Sequence, residues 1–204
     1  MSGTFIVFEG GDGVGKSTQC RLLVQSLRKL GIDAVQTQQP GGTEFGTRLR
    51  NIILDPDTGD ISDRAEALVY VADKAQHVEE VILPALQAGA VVISDRYVDS
   101  MLAYQGAGRN QDISQLRALA KWATGGLLPE LTVVLDLDPR AGLRRIVRQD
   151  RLESAGDDFH LRVRQWFLDT AASDPQHYFV VPGCLPINDI AAQVLARVVA
   201  VVAS

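Results

Sequence analysis

The stretch FIVFEGGDGVGKSTQCRLL, residues 5–23, constrains this chain more than any other. An apolar run (Phe5, Ile6, Val7, Phe8) meets a glycine-rich turn, and a helical pattern opens directly after Lys16. That order asks for a buried strand, a tight reversal and a helix in immediate succession. The rest of the chain repeats the alternation. Apolar strand candidates fall at 4–9, 33–37, 90–95, 131–136 and 178–182, with longer segments of helical spacing between them. In one of these, 62–88, Ala65, Leu68, Val69, Ala72, Ala75 and Ile82 share a side. The strands are almost uniformly apolar, as in AVVIS and LTVVLDL, which fits a parallel sheet buried on both faces. The tail IAAQVLARVVAVVA (190–203) is too short to span a bilayer, carries Gln193 and Arg197, and reads as a terminal helix on the core.

Residues 10–17, GGDGVGKS, match G-x-x-x-x-G-K-[ST] in its required setting, strand before and helix after. Glycine lets successive N–H groups turn inward around an anion, and the new helix adds its free N–H groups and positive dipole end. Gly10, Gly11, Asp12, Gly13, Val14, Gly15, Lys16, Ser17 and Thr18 are therefore the expected cradle for a nucleoside triphosphate such as ATP. Lys16 reaches the β- and γ-phosphates, and the Ser17 hydroxyl is a ligand for Mg²⁺. The dinucleotide pattern G-x-G-x-x-G fails, because Lys16 occupies its last glycine position. The expected fold class is α/β, a P-loop three-layer α/β/α arrangement with a five-stranded parallel sheet flanked by helices.

Two further segments carry charge in telling places. Asp95 ends an apolar strand, where open parallel sheets hold their ligands, and it can hold Mg²⁺ through water while Arg96 clamps a second phosphate. DPRAGLRRIVRQDRLE (138–153) concentrates arginine, and Arg144, Arg148 and Arg151 fall at i, i+4 and i+7, one face of a helix. On a chain of formal net charge −5 this suggests a lid over phosphates, around 144–156. The same acidic balance argues against non-specific binding to nucleic acid or an anionic membrane. Cys20 and Cys184 make no metal spacing or disulfide framework, and no basic, apolar leader opens the chain, so a reducing, cytoplasmic setting is expected. Residues 1–204 read as one domain, without repeat or linker.

Taken together, the P-loop with Asp12 inside it, PGGT (40–43), LRNIIL (49–54), AEALVYVADKAQHVEEVI (65–82), DRYVDSMLAYQGAGR (95–109) and DRLE (150–153) resemble the thymidylate kinase family of P-loop nucleoside monophosphate kinases. The resemblance runs over nearly the whole chain. It implies phosphoryl transfer from ATP to dTMP with Mg²⁺, and a homodimer. It assigns Asp12 a place near the sugar 3′-hydroxyl and the transferred phosphate, and gives Arg50 and Arg96 the acceptor monophosphate. Tyr70 takes the position that stacks on thymine, Lys74 that of a base-contacting arginine, and Tyr104 and Gln105 meet the sugar 2′ position and the base edge. Lys16, Asp12, Asp95, Arg96, Arg148 and Arg151 form the implied catalytic set; with no arginine in the P-loop, the lid supplies it. His77, His160 and His177 have no evident site partners in sequence, and none is needed. Gln38, Gln39, Lys74 and Met101 depart from the family's usual residues near the nucleobase, as does Pro182 after the last strand. A kinase of another (deoxy)nucleoside monophosphate and a non-catalytic ATP-binding protein therefore stand as alternatives at this stage. The apolar side of 65–82 suits either a dimer contact or an internal core.

Overall fold

The computed structural model describes residues 3–147, 150–153 and 155–203. Strand β1 (Thr4–Glu9) leads into helix α1 (Lys16–Lys29), followed by β2 (Ala34–Gln38), α2 (Glu44–Leu54) and α3 (Asp63–His77). A π-helical turn at Val78–Ile82 joins α3 to α4 (Leu83–Gln87), and β3 (Val91–Asp95) follows. Helix α5 (Val98–Met101) runs into a second π turn, Leu102–Gly108, before α6 (Ile113–Ala123) and β4 (Leu131–Asp136). The chain continues through α7 (Pro139–Leu143), α8 (Asp157–Ser173), β5 (Tyr178–Pro182) and α9 (Ile187–Val202).

The five strands form one parallel sheet in the order β2-β3-β1-β4-β5. All five expected strands are present, each within a residue of its expected limits. The inner strands β1, β3 and β4 are buried along nearly their whole length, whereas the edge strands β2 and β5 are partly open. Side chains alternate across the sheet as the pleat requires. Ile6 and Phe8 pack with α1 and α9, and Phe5 and Val7 pack with Val78, Ile82 and Tyr97 on the other face. Truncating Phe8 to alanine would cost about 3–5 kcal/mol from lost contacts and the cavity left behind. Because β1 is central, the turn after it opens beside the end of β3, where Phe8 pairs with Asp95. The sheet thus brings the glycine turn and the Asp95-Arg96 pair together at the crevice where strand order switches.

Two expectations change. The stretch 62–88 is helical from Asp63 to Gln87, as its spacing implies, but not uniformly α: Pro84 has no N–H to return to the carbonyl four residues back, and the helix widens into a π turn just before it. Its apolar side is also not an internal core. Leu68 is 55% exposed and Ala65 is exposed, while Glu66, Tyr70, Asp73, Lys74 and His77 are buried; only Ile82 lies in the core as a core residue would. Secondly, Arg144 and Arg151 do not share one helical face. Helix α7 stops at Leu143, and Asp150 closes its own turn by accepting the N–H groups of Leu152 (2.8 Å) and Glu153 (2.9 Å). A short aspartate reaching its own backbone two residues ahead offers the chain an alternative to helix. Arg148 lies outside the described residues.

Candidate active site

The glycine-loop side of the site is mostly backbone. Gly13 has φ of 69°, and a Cβ there would lie 2.1 Å from the carbonyl oxygen of Gly142 in α7, so only glycine fits. Gly15, φ 101°, opens onto free space and starts α1. The Val14 side chain, by contrast, is buried in the core and pins the loop from below, leaving its backbone to face a ligand. The Lys16 ammonium donates to the carbonyls of Gly10 (3.1 Å) and Gly11 (2.5 Å). Burial, reinforced by the charge of Arg96, lowers it to about 8 against the pull of Asp95 and Asp12. The Ser17 hydroxyl donates to Asp95 Oδ2 at 2.5 Å, so two hard oxygen donors meet at one point beside the loop. A cleft of about 350 Å³ opens over Lys16, Ser17 and Thr18.

The other side of the site is assembled from side chains of many elements. A second, narrower cavity of about 110 Å³ is lined by Tyr70 and Lys74 from α3, Met101, Tyr104 and Gln105 from the α5 segment, and Leu152. Asp12, Gln39, Arg50, Arg96 and Glu153 line both cavities, so the two meet across a shared wall. Arg96 is the centre of that wall. Its Nη1 donates to Gly10 O (3.1 Å) and Ser100 Oγ (2.9 Å), and its Nη2 donates to Asp12 Oδ1 and to the Tyr104 hydroxyl (3.1 Å). The Tyr104 hydroxyl in turn donates to Asp12 Oδ2 at 2.7 Å. Burial alone would raise the Asp12 carboxyl, but Arg96 and Lys16 outweigh it and hold Asp12 below the ordinary carboxylate range. Arg50 donates to Pro40 O at 2.9 Å, beside the cis Gln39–Pro40 peptide.

Beneath the pocket lies a polar network that sequence reasoning missed. Lys74, 1% exposed, donates to Gln39 Oε1 (3.0 Å), and the Gln39 amide nitrogen donates to His77 Nδ1 (2.8 Å). His77 then carries its proton on Nε2, facing Thr37 Oγ1 at 2.5 Å. Burial and Lys74 push His77 down to about 4, so the ring is neutral, and burial lowers Lys74 itself to about 8. Gln39 must accept on one side and donate on the other, a task for an amide and not for a carboxylate. Asp73 fastens the PGGT turn by accepting Gly41 N–H at 2.8 Å.

Glu66 was also missed. This fully buried carboxylate accepts from Gln105 Nε2 (2.9 Å), Arg109 Nη2 (3.3 Å) and Arg151 Nη2. Arg151 is therefore not at the phosphate cleft in this structure: its Nε also donates to Ile53 O (3.0 Å), anchoring the end of the arginine-rich segment to α2 and α3. Of the described arginines in 144–151, Arg145 reaches the P-loop, donating to Gly13 O at 3.3 Å. His160 holds the same segment by its contact with Glu153 O (3.1 Å). Glu9 is the third omission. It is wholly buried at the end of β1, and burial, with Asp99 nearby, raises it to about 7 against Arg96 and Ser100. A lone charge ending an apolar strand was the available signal.

With this geometry in view, the relatives are informative. A family model described as thymidylate kinase matches residues 8–194. The chain is 55% identical over 198 residues to the thymidylate kinase of Cutibacterium acnes, covering 97% of each, and 48% identical over 199 residues to that of Deinococcus radiodurans, covering 96% of each. The crystal structure of thymidylate kinase from Ehrlichia chaffeensis superposes with a TM-score of 0.81 at 30% identity, over 97% of this chain and 99% of that one. A parallel sheet with a P-loop at its switch point, two cavities meeting over Asp12 and Arg96, and this likeness from end to end have one reading: the chain belongs to the thymidylate kinase family.

Proposed function

We propose that this chain is an ATP-dependent thymidylate kinase that transfers the γ-phosphoryl group of ATP to dTMP, giving ADP and dTDP. The observation that carries the reading is the shared wall: a triphosphate cradle and a second pocket face one another across Asp12, Arg50 and Arg96. An oxygen of the acceptor monophosphate attacks the γ-phosphorus, and the bond from that phosphorus to the bridging oxygen of ADP breaks. The attacking phosphate has a second pKa near 6, so it is largely dianionic at neutral pH and needs no general base.

The chain's work is to hold two polyanions in line. The P-loop N–H groups and Lys16 take the donor phosphates, and Arg96 with Arg50 takes the acceptor phosphate through planar, two-pronged donors. Asp12 sits toward the sugar 3′-hydroxyl, Tyr70 stacks on the base, Lys74 and Gln105 meet its edge, and Tyr104 crowds the 2′ position. Ser17 and Asp95 suit Mg²⁺, which takes few protein ligands and completes its shell with phosphate and water. Bound there, it would neutralise charge on the β- and γ-phosphates.

Residues 1–204 act as one kinase domain, with 144–156 as its lid. Arg145 and Arg148 close over the phosphates and exclude water. Arg151 joins them only by leaving Glu66, so its release and lid movement are one event. The open groove beside Arg140, Leu143 and Arg144 is the adenine side. A homodimer completes the reading: Leu68 of α3, Phe45 and Ile52 of α2, and Leu119 and Trp122 of α6 are exposed apolar side chains on neighbouring helices. Sedimentation should give the mass of two chains. A cytoplasmic setting is part of this reading. Among the described residues, no helix is long and apolar enough to cross a membrane.

Coupled ADP release measured with dTMP, dUMP, CMP, UMP and GMP tests the whole. Preference for dTMP is expected. A different preferred acceptor would displace the thymine assignment, and ATP binding without turnover would remove the kinase.

A further inference from the structure

We propose that Glu9 is the positioning residue for Arg96, and that it sets how tightly the acceptor pocket holds phosphate by fixing Tyr97 and Ser100. The proposal rests on the reading of Arg96 as a ligand of the acceptor monophosphate. Arg96 has φ of 71°, a left-handed conformation that a residue with a long side chain rarely adopts without support. Its own backbone is tied to β1 and β3, with Arg96 N–H donating to Phe8 O (2.9 Å) and the Ser94 hydroxyl donating to Arg96 O (2.7 Å). The chain directly after it is tied to Glu9. Tyr97 N–H (2.8 Å) and Ser100 N–H (3.1 Å) both donate to Glu9 Oε1, so the carboxylate caps the short α5 from another strand.

The same carboxylate orients a side chain. The Ser100 hydroxyl donates to Glu9 Oε2 at 2.5 Å and therefore turns its lone pairs toward Arg96 Nη1, which donates to it at 2.9 Å. This matters because all four Nη hydrogens of Arg96 are engaged: Nη1 with Gly10 O and Ser100, Nη2 with Asp12 and Tyr104. An incoming dianion competes with the like-charged Asp12, so Nη2 is the end that changes partners. Nη1 stays tethered, and the tether runs through Ser100 to Glu9. Glu9 is wholly buried and takes no part in lining either cavity, whereas Ser100 lines the acceptor cavity. Its influence is thus on Arg96 and not on the base or the sugar.

Calorimetric titration of dTMP and of thymidine, which lacks the phosphate, into wild type, Glu9→Gln, Ser100→Ala and Arg96→Ala separates the possibilities. Glutamine keeps an oxygen for the two N–H groups but cannot accept the Ser100 hydroxyl. Glu9→Gln and Ser100→Ala should each weaken dTMP about tenfold, as expected for a lost hydrogen bond to a charged group, and leave thymidine within about twofold. The double variant should be no worse than the weaker single, since both cut one tether. Equal losses for dTMP and thymidine would make Glu9 merely structural and overturn the proposal. So would unchanged dTMP binding in Glu9→Gln or Ser100→Ala while Arg96→Ala loses it. If Arg96→Ala itself binds dTMP normally, the assignment of Arg96 falls first and the proposal with it. Should Glu9→Gln fail to fold, Ser100→Ala alone decides by the same ratio.

Discussion

The two halves of the cleft are made of different material. The donor half comes from one short consecutive run of residues, and its donors are mainly main-chain N–H groups shaped by Gly13 and Gly15, with Lys16 folded over two carbonyls. The acceptor half draws on the loop after β1, the ends of β2 and β3, helices α2 and α3, the π turn at Leu102–Gly108 and the segment 150–153. It stands on buried polar side chains that satisfy one another. A site of contiguous backbone tolerates the loss of a side chain without losing its shape. A site of dispersed, mutually satisfied side chains does not, because each deletion leaves a buried partner unpaired.

Lys16→Ala is the most severe test of that contrast. The variant should lose about 10³-fold in kcat, the scale of removing a principal charge-stabilising group from a transferring phosphoryl. Its melting temperature should move by only a few degrees, since the carbonyls of Gly10 and Gly11 are then free to take water. Single-turnover transfer and a thermal melt check both. A large loss of stability would mean that the donor half also depends on side-chain pairing.

The acceptor half should instead show itself in stability against pH. His77 is held at about 4, well below its ordinary value near 6.5, so the unfolded chain takes up a proton first as the medium is acidified. His77 therefore contributes stability that is present above about pH 6.5 and is lost as pH falls toward 4, on the order of 2–3 kcal/mol by pH 4.5. Glu9 works in the opposite sense. Raised to about 7, it takes up its proton first in the folded chain and adds stability as pH falls from there to its ordinary range. The two slopes oppose one another, so wild type alone hides both. Urea unfolding of His77→Gln beside wild type at pH 7 and pH 4.5 isolates the first. The gap between the two proteins should shrink by the stated amount at the lower pH, and a constant gap would show that His77 is not buried neutral.

The same contrast explains what was legible in the sequence. The P-loop could be read because its chemistry depends on spacing along the chain, and the strands because a sheet buried on both faces leaves unbroken apolar runs. Helix α3 misled because amphipathic reasoning assumes that the inner face meets a core. Here the inner face is mixed: Ala67, Tyr70 and Val71 join the core, Lys74 turns to a cavity and Glu66 to Gln105 and two arginines, while Leu68 turns out. The arginine-rich segment misled because even spacing suggests helix, whereas Asp150 captures its own backbone. Glu9 could have been noticed as a lone charge ending an apolar strand, but its partners and those of Glu66 could not be read, because they lie 88–91 and 39–85 residues away. Pairings at that range are set by topology, and a single sequence carries no local trace of them.

The mildest test concerns Gln39, which links two other buried polar groups. Its amide spans Lys74 and His77, accepting from one and donating to the other. In Gln39→Glu the carboxylate would face Lys74 favourably but present a second acceptor to His77 Nδ1. The neutral ring can keep that contact by moving its proton to Nδ1 and accepting the Thr37 hydroxyl at Nε2, but the adjacent carboxylate also favours the charged ring, so the His77 pKa should rise from about 4 toward the ordinary value, by roughly one unit or more. Net stability at neutral pH should change by less than about 1 kcal/mol, because the gained attraction to Lys74 offsets the lost or recharged histidine contact. Titration of the His77 ring by NMR reads the coupling directly. If His77 still titrates near 4 in the Gln39→Glu variant, the two groups act independently, and the acceptor half is a set of separate contacts and not a network.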